Sequence, residues 1–178
     1  MTRPKSGPAV VSIVGKSNSG KTTLIEKLLP RLAKRGIRVG TVKHDVHGFQ
    51  MDREGKDSYR HKKAGALITV ISSPRQIGMV RDVDHDHRIE ELVDRYFPDV
   101  DLVLTEGYKR EKWPKVEVHR KELRRSLIST ADEGLIVVMS DEDLSVEVPC
   151  FHLDDVDALA EFLVYTFHLD DAMDDQNG

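Results

Sequence analysis

Apolar positions along the 178-residue chain form two kinds of run, short continuous ones and helically spaced ones, and their alternation predicts an α/β fold. Ala9 to Val14 is a β-branched run ending on Gly15, the pattern of a strand buried on both faces. From Lys21 the period changes: Leu24, Ile25, Leu28, Leu29 and Leu32 share one face of a helix that Gly36 stops. Pro30 lies inside that helix and is expected to kink it, because it removes the hydrogen bond to the Glu26 carbonyl. Ile37 to Lys43 reads as a second strand. Strand, helix and strand in this order make a right-handed βαβ unit, and hence a mostly parallel sheet.

His44 to Gly55 is a polar loop, followed by a short helix over Asp57 to Ala64. Leu67 to Ile71 and Gln76 to Val80 flank Ser-Ser-Pro-Arg and read as a β-hairpin. Arg88 to Tyr96 is helical, and Leu102 to Thr105, Val116 to Val118 and Leu135 to Met139 supply three more strands. Asp154 to Leu169 is an amphipathic final helix, opened by acids that favour a helix N-terminus. The expected organisation is one domain over residues 1–169 with an acidic, frayed tail over 170–178.

Composition narrows the class. Charged residues are 33% and apolar ones 39%, as in an ordinary globular protein. No apolar run is long enough for a membrane span, the N-terminus has no apolar signal core, and Cys150 is the only cysteine. The cytoplasm is therefore the expected compartment, with no membrane partner. The net charge of −4 hides a division: residues 1–125 hold all 27 Lys and Arg against 17 acids, whereas residues 126–178 hold 14 acids and no base. A basic body suits phosphorylated ligands; equally, the two parts can attract each other within one fold.

The chemistry concentrates in Gly15-Lys16-Ser17-Asn18-Ser19-Gly20-Lys21-Thr22, which fits G-x-x-x-x-G-K-[ST] and lies between a strand and a helix, the context a P-loop requires. Glycines let successive N–H groups point inward at a polyphosphate, and the helix N-terminus, opening on Thr22 and Thr23, adds partial positive charge. Lys21 reaches the β and γ phosphates, and the Thr22 hydroxyl ligates Mg²⁺. The fold expected is a three-layer P-loop NTPase, with the hairpin as an addition. An acid is needed at the end of a neighbouring strand, and Glu106 closes the run Asp101 to Glu106; Asp101 would lie at the wrong end. Lys43 and Asp45, in the loop after the second strand, can meet the nucleotide or its metal.

Other features carry less. His44 and His47 with one nearby Asp fall short of the four ligands of structural zinc. Asp84 to His87 reads as a solvated turn, and Lys16 as a rim lysine or a cation reaching a partner subunit's phosphates. Basic segments over Arg53 to Lys63 and Tyr108 to Arg125 come without a recognition helix or aromatic RNA-binding motif, so nucleic acid is not expected as a partner.

In their order, the pieces "VGKSNSGKTTLIEKLLPRL", "GIRVGTVKHDVHGF", "DREGKDSYRHKKAGA", "DLVLTEGYKREKWPKVEVHR" and "LDDVDALAEFL" resemble the molybdopterin-guanine dinucleotide biosynthesis protein B (MobB) family, over about residues 10–165. The resemblance implies a GTP-binding accessory of molybdenum cofactor synthesis. It would act beside the nucleotidyltransferase that attaches GMP to molybdopterin, as a homodimer with weak GTPase activity. It also implies that Gly15 to Thr22 bind phosphates, that Glu106 serves Mg²⁺, and that the loop from His44 to His47, with Asp57 and Ser58, faces a second ligand, molybdopterin. Asp45 departs from the small polar residue of many relatives. The Asn/Thr-Lys-x-Asp guanine motif is absent, and Asp141, after a strand, is the nearest counterpart. No residue declares itself as a catalytic base or arginine finger, so hydrolysis is expected to be slow. Two other classes compete: a small-molecule kinase holding its acceptor with Lys43, Asp57 and Arg60, and a metal-delivery GTPase using His44 and His47.

Overall fold

A computed structural model describes residues 7–45 and 47–170. In chain order the elements are β1 (Ala9–Val14), α1 (Lys21–Lys34), β2 (Val39–Lys43), α2 (Asp57–Lys63), β3 (Ile68–Ser72), β4 (Ile77–Arg81), α3 (Ile89–Tyr96), β5 (Leu102–Glu106), β6 (Lys115–Val118), β7 (Leu135–Ser140), β8 (Cys150–His152) and α4 (Val156–Phe167). Contacts group the chain into two compact units. One comprises the chain up to His44 together with everything from Ile89 onward, and the other is Asp45–Arg88.

The larger unit is a six-stranded sheet in the order β2-β5-β1-β6-β7-β8, with every neighbouring pair parallel. Strand side chains alternate between its two faces, which is why the apolar runs are nearly continuous. Val11 and Ile13 of β1 face a large core shared with Leu24, Leu28 and Leu32 of α1 and Leu159 and Leu163 of α4. Val10 and Val103 face the other side, where Ile89 and Val93 of α3 close a smaller core. Helices thus cover both faces, giving the three layers expected. The Phe97 ring lies over Gly40, where a Cβ would stand only 2.3 Å from it. No helix among the described residues is long and apolar enough to cross a membrane.

The charge division has a use inside this unit. Lys27, Arg31 and Arg35 of α1 pair with Asp154, Asp157 and Glu161 at 3.2, 2.9 and 3.0 Å, so the basic and acidic parts of the sequence meet along α1 and α4. Such exposed pairs contribute up to about 1 kcal/mol each, and they set register more than stability. A stronger polar contact lies at the amino end of the sheet. The carboxylate of buried Asp101 accepts from the Arg38 backbone N–H at 2.8 Å and from its guanidinium at 2.8 and 3.1 Å, pinning the entry to β2 against the entry to β5.

α1 runs through Pro30 to Lys34, as its periodicity implied. Other elements differ from the sequence reading: both hairpin strands lie about one residue later than the pattern implied. β8 was not foreseen; it has three residues, follows Pro149, and presents only one apolar side chain, Phe151, so it leaves almost no periodic signal. The final helix begins at Val156, with the Asp155 carboxylate accepting from the Ala158 N–H at 3.2 Å. Of the acidic tail, residues 171–178 lie outside the described residues.

In the second unit, β3 and β4 form the antiparallel hairpin, with Thr69 opposite Val80 and Val70 opposite Met79. Successive side chains alternate faces, so Thr69 and Val80 share one face while Ile68, Val70, Met79 and Ile77 share the other. α2 packs against β3.

Candidate functional site

β1 is central in the sheet, and the chain leaves its carboxyl end into the glycine-rich loop. Gly15 sits at φ +142°, and a Cβ there would stand 2.5 Å from the Val118 carbonyl oxygen and 2.7 Å from Ser19 Oγ. Only glycine lets the loop pass this close to β6. Asn18 at φ 64° and Gly20 at φ 99° complete the curl, and α1 begins at Lys21 with the Gly20 carbonyl accepting from Leu24 N–H at 2.9 Å. Lys16, Ser17 and Asn18 form the outer rim; Ser17 and Asn18 are exposed.

Two side chains of the loop are placed for a phosphate, Lys21 and Ser19. Lys21 Nζ donates to the carbonyls of Gly15 at 3.2 Å and Lys16 at 2.8 Å, so its ammonium is held at the mouth of the loop. Burial pushes its pKa below the usual lysine value against the opposing pull of Glu106, and Lys43 and Lys109 add to the drop. The buried Ser19 Oγ has no hydrogen-bond partner among the described residues. A phosphate oxygen would satisfy that hydroxyl and the half-buried ammonium together, so the loop fits a polyphosphate.

The magnesium position fits as well. Thr22, on the first turn of α1, donates its Oγ1–H to the Glu106 carboxylate, with oxygens at 2.9 and 3.1 Å. The hydroxyl and the carboxylate thus meet as a pair of hard oxygen donors at the carboxyl edge of β1 and β5, the donor set Mg²⁺ takes. Lys43, at the end of β2, stands 3.8 Å from Glu106. The His44 N–H donates to the Glu106 carbonyl at 3.1 Å, and its ring lies 4.7 Å from the Tyr108 ring. Asp101 is at the opposite end of β5, as its position in the strand implied.

The remaining predicted residues fall elsewhere. Thr23 is exposed on α1. Asp45, Asp57 and Ser58 belong to the second unit. There the Asp45 carboxylate accepts the His47 N–H at 2.9 Å, and Asp57, at the start of α2, is 3.6 Å from Arg60. Asp141 follows β7 in the larger unit; its Oδ1 accepts the Lys121 N–H at 2.8 Å and its Oδ2 is 3.8 Å from Arg120.

Sequence reasoning missed three residues around the loop. Arg120 donates from Nε to the Ser19 carbonyl at 3.0 Å and lies within 3.4 Å of a Cβ position on Gly20, tying the P-loop to Asp141. Glu117, on β6 and paired in register with Val14, is buried; its oxygens accept from Ile128 N–H at 2.7 Å and Ser129 N–H at 3.0 Å. Burial pushes the Glu117 pKa up, and those two amides hold it down in part. Lys115, also buried, donates to the carbonyls of Glu111, Trp113 and Glu133. Alternation along Lys115-Val-Glu-Val118 was the available signal, but charged residues at its inward positions argued against burial.

A phosphate-shaped loop on the central strand of a parallel sheet, with an acid closing the neighbouring strand, defines a P-loop NTPase fold. The chain belongs to the Molybdopterin guanine dinucleotide synthesis protein B family, whose profile matches residues 10–141. It is 34% identical over 160 residues to the molybdopterin-guanine dinucleotide biosynthesis adapter protein of Haemophilus influenzae, covering 89% of each chain. It is 36% identical over 152 residues to the adapter protein of the same name from Escherichia coli, covering 83% of this chain and 87% of that one. The crystal structure of Bacillus subtilis MobB superposes with a TM-score of 0.71 at 30% identity, over 89% of this chain and 97% of the other.

Proposed function

We propose that this chain is a GTP-binding adaptor of molybdenum cofactor biosynthesis, working in the cytoplasm beside the nucleotidyltransferase that joins GMP to molybdopterin. Family membership supports the adaptor role and the pathway. The observation that carries the nucleotide reading is the convergence of the Lys21 ammonium, the unpartnered Ser19 hydroxyl and the Thr22–Glu106 pair around one hollow. Gly15 to Thr22 hold the phosphates, and Thr22 and Glu106 hold Mg²⁺, whose chemistry is to neutralise charge on the β and γ oxygens. P-loop sites without an added arginine turn over on the order of once per hour, so nucleotide acts here as a state to be sensed by a partner more than as fuel.

Guanine preference rests on Asp141. Its carboxylate is engaged by Lys121 and faces Arg120, so reading the paired N–H groups of guanine requires it to exchange those contacts. Calorimetric titration with GTP and ATP in the presence of Mg²⁺ tests the reading. Saturable GTP binding that weakens on removing Mg²⁺, with ATP weaker by about tenfold or more, is the expected result, a good guanine contact being worth about 1.5–3 kcal/mol. Equal binding of both nucleotides would remove the role of Asp141, and binding of neither would remove the function.

The hairpin supports a homodimer. On the face away from Thr69, Ile77 is 74% exposed and Val70 55%, with Ile68 and Met79 beside them, an apolar strip that a second copy can bury. Sedimentation of the wild type as a dimer and of Ile77→Glu as a monomer is expected. A charged variant that remains dimeric would move the interface elsewhere.

A further inference from the structure

Beyond the P-loop, the carboxyl edge of the sheet carries a cation that the phosphate and magnesium groups leave unexplained. Glu106, which with Thr22 forms the pair proposed for Mg²⁺, closes β5, and Lys43 closes β2, so both lie on one side of β1. Mg²⁺ taken up there bridges β and γ oxygens, which sets the terminal phosphate of a bound triphosphate toward β5. Ligands of such sheets occupy the crevice outside the carboxyl ends of the strands, and the nucleoside end is therefore led the other way, over β6 and β7. Arg120, just past the end of β6, and Asp141, just past the end of β7, stand on that side.

Arg120 is held by the rim of its guanidinium. Nε donates to the Ser19 carbonyl at 3.0 Å, and one terminal nitrogen stands 3.8 Å from Asp141 Oδ2. A Cβ on Gly20 would lie 3.4 Å from the other terminal nitrogen, 3.6 Å from Nε and 3.9 Å from the central carbon. The carbon is the farthest of the three, so the loop meets the guanidinium edge-on. Residues on both sides fix the backbone: the Lys121 N–H donates to Asp141 Oδ1 at 2.8 Å, the His119 N–H donates to the Met139 carbonyl at 2.8 Å, and His119 Nε2 lies 2.9 Å from Glu142 Oε1. A guanidinium donates in its own plane. Anchored through its rim, with 34% of the side chain exposed, it offers a ligand its face.

Two roles compete for such a group. A cation aimed at the terminal phosphate belongs on the β5 side with Glu106 and Lys43, and Arg120 stands across β1 from them. A planar cation fixed at the nucleoside end suits an aromatic ring instead, because every base has a π face on which a guanidinium stacks. We infer that Arg120 is the platform on which the base of a P-loop-bound nucleotide stacks, its rim bonded to the same loop that holds the phosphates. The inference rests on the proposed nucleotide site and adds a binding residue to it. Stacking accepts guanine and adenine alike, so Arg120 sets affinity for the nucleoside and leaves the choice of base to Asp141.

The test titrates the full chain, Arg120→Ala and Arg120→Lys with inorganic tripolyphosphate, GTP and ATP in Mg²⁺, read by calorimetry. Tripolyphosphate has no base, so the ratio of nucleotide to tripolyphosphate affinity isolates what the base contributes and cancels any loosening of the loop. That ratio is expected to fall about tenfold in Arg120→Ala, for GTP and ATP alike, the size of one lost base stack. Arg120→Lys keeps the charge without the plane, and its ratio should fall severalfold. Tripolyphosphate binding also reports that each variant is folded. An arginine that only braces the loop would weaken all three ligands equally, and an unchanged ratio in Arg120→Ala overturns the inference. A wild-type ratio in Arg120→Lys would show a point charge at work and overturn the stacking. A fall for GTP with none for ATP would overturn it too, since Arg120 would then act through Asp141. Any of these with wild-type GTP binding intact refutes this inference alone, whereas a wild type that binds neither GTP nor tripolyphosphate refutes the P-loop reading with it.

Discussion

Lys21→Ala is expected to abolish measurable GTP binding while leaving the fold in place. In the folded chain the ammonium makes two bonds, both to loop carbonyls, so its removal unties the loop mouth without opening either core. Toward nucleotide its proposed role is larger, because the ammonium would meet the β and γ phosphates from a position that burial has partly desolvated. Two charge-assisted hydrogen bonds of about 1.5–3 kcal/mol each correspond to a loss on the order of a hundredfold to ten-thousandfold in affinity. Calorimetry measures the loss, and far-ultraviolet circular dichroism with a thermal scan checks the fold. Wild-type affinity in this variant would mean that phosphates bind elsewhere.

Gly15→Ala should fail differently, through stability as well as binding. The new methyl would stand 2.5 Å from a backbone oxygen of β6, which cannot swing aside as a side chain can, at a φ of +142° that L-residues resist. Backbone strain and overpacking of about 1–3 kcal/mol each predict a combined loss of roughly 2–6 kcal/mol, read as a lowered urea midpoint, together with loss of GTP binding. Gly78→Ala is the matched control. Nothing lies within 4 Å of its Cβ position, so its midpoint should move by no more than about 0.5 kcal/mol equivalent. A Gly15→Ala protein as stable as that control would show that the loop does not press on β6 as the structure has it.

What could be read from the residues tracks how local each signal is. The P-loop was legible because its constraints are covalent neighbours: glycines at fixed offsets, one lysine, and a helix starting on threonine. Glu106 was legible because β5 is a continuous apolar run with one acid at its end, and chain direction decides which end faces the loop. The pairing of Lys27, Arg31 and Arg35 with Asp154, Asp157 and Glu161 links positions well over a hundred residues apart, so the sequence offered the charge division without its partners. Arg120, Glu117 and Lys115 were missed for a similar reason. Each is a charged side chain satisfied mainly by backbone groups of loops, and no spacing rule announces that a loop carbonyl or amide will be waiting.

The central claim is that the hollow bounded by Gly15, Ser19, Lys21 and Thr22 holds a triphosphate. A crystal structure of the chain grown with Mg²⁺ and a non-hydrolysable GTP analogue tests it most directly. The account predicts the β-phosphate inside the loop, an oxygen within hydrogen-bond distance of Ser19 Oγ and Lys21 Nζ, and Mg²⁺ between Thr22 and Glu106. Nucleotide bound outside this loop at saturating concentration, or a loop still closed on its own carbonyls, would contradict it.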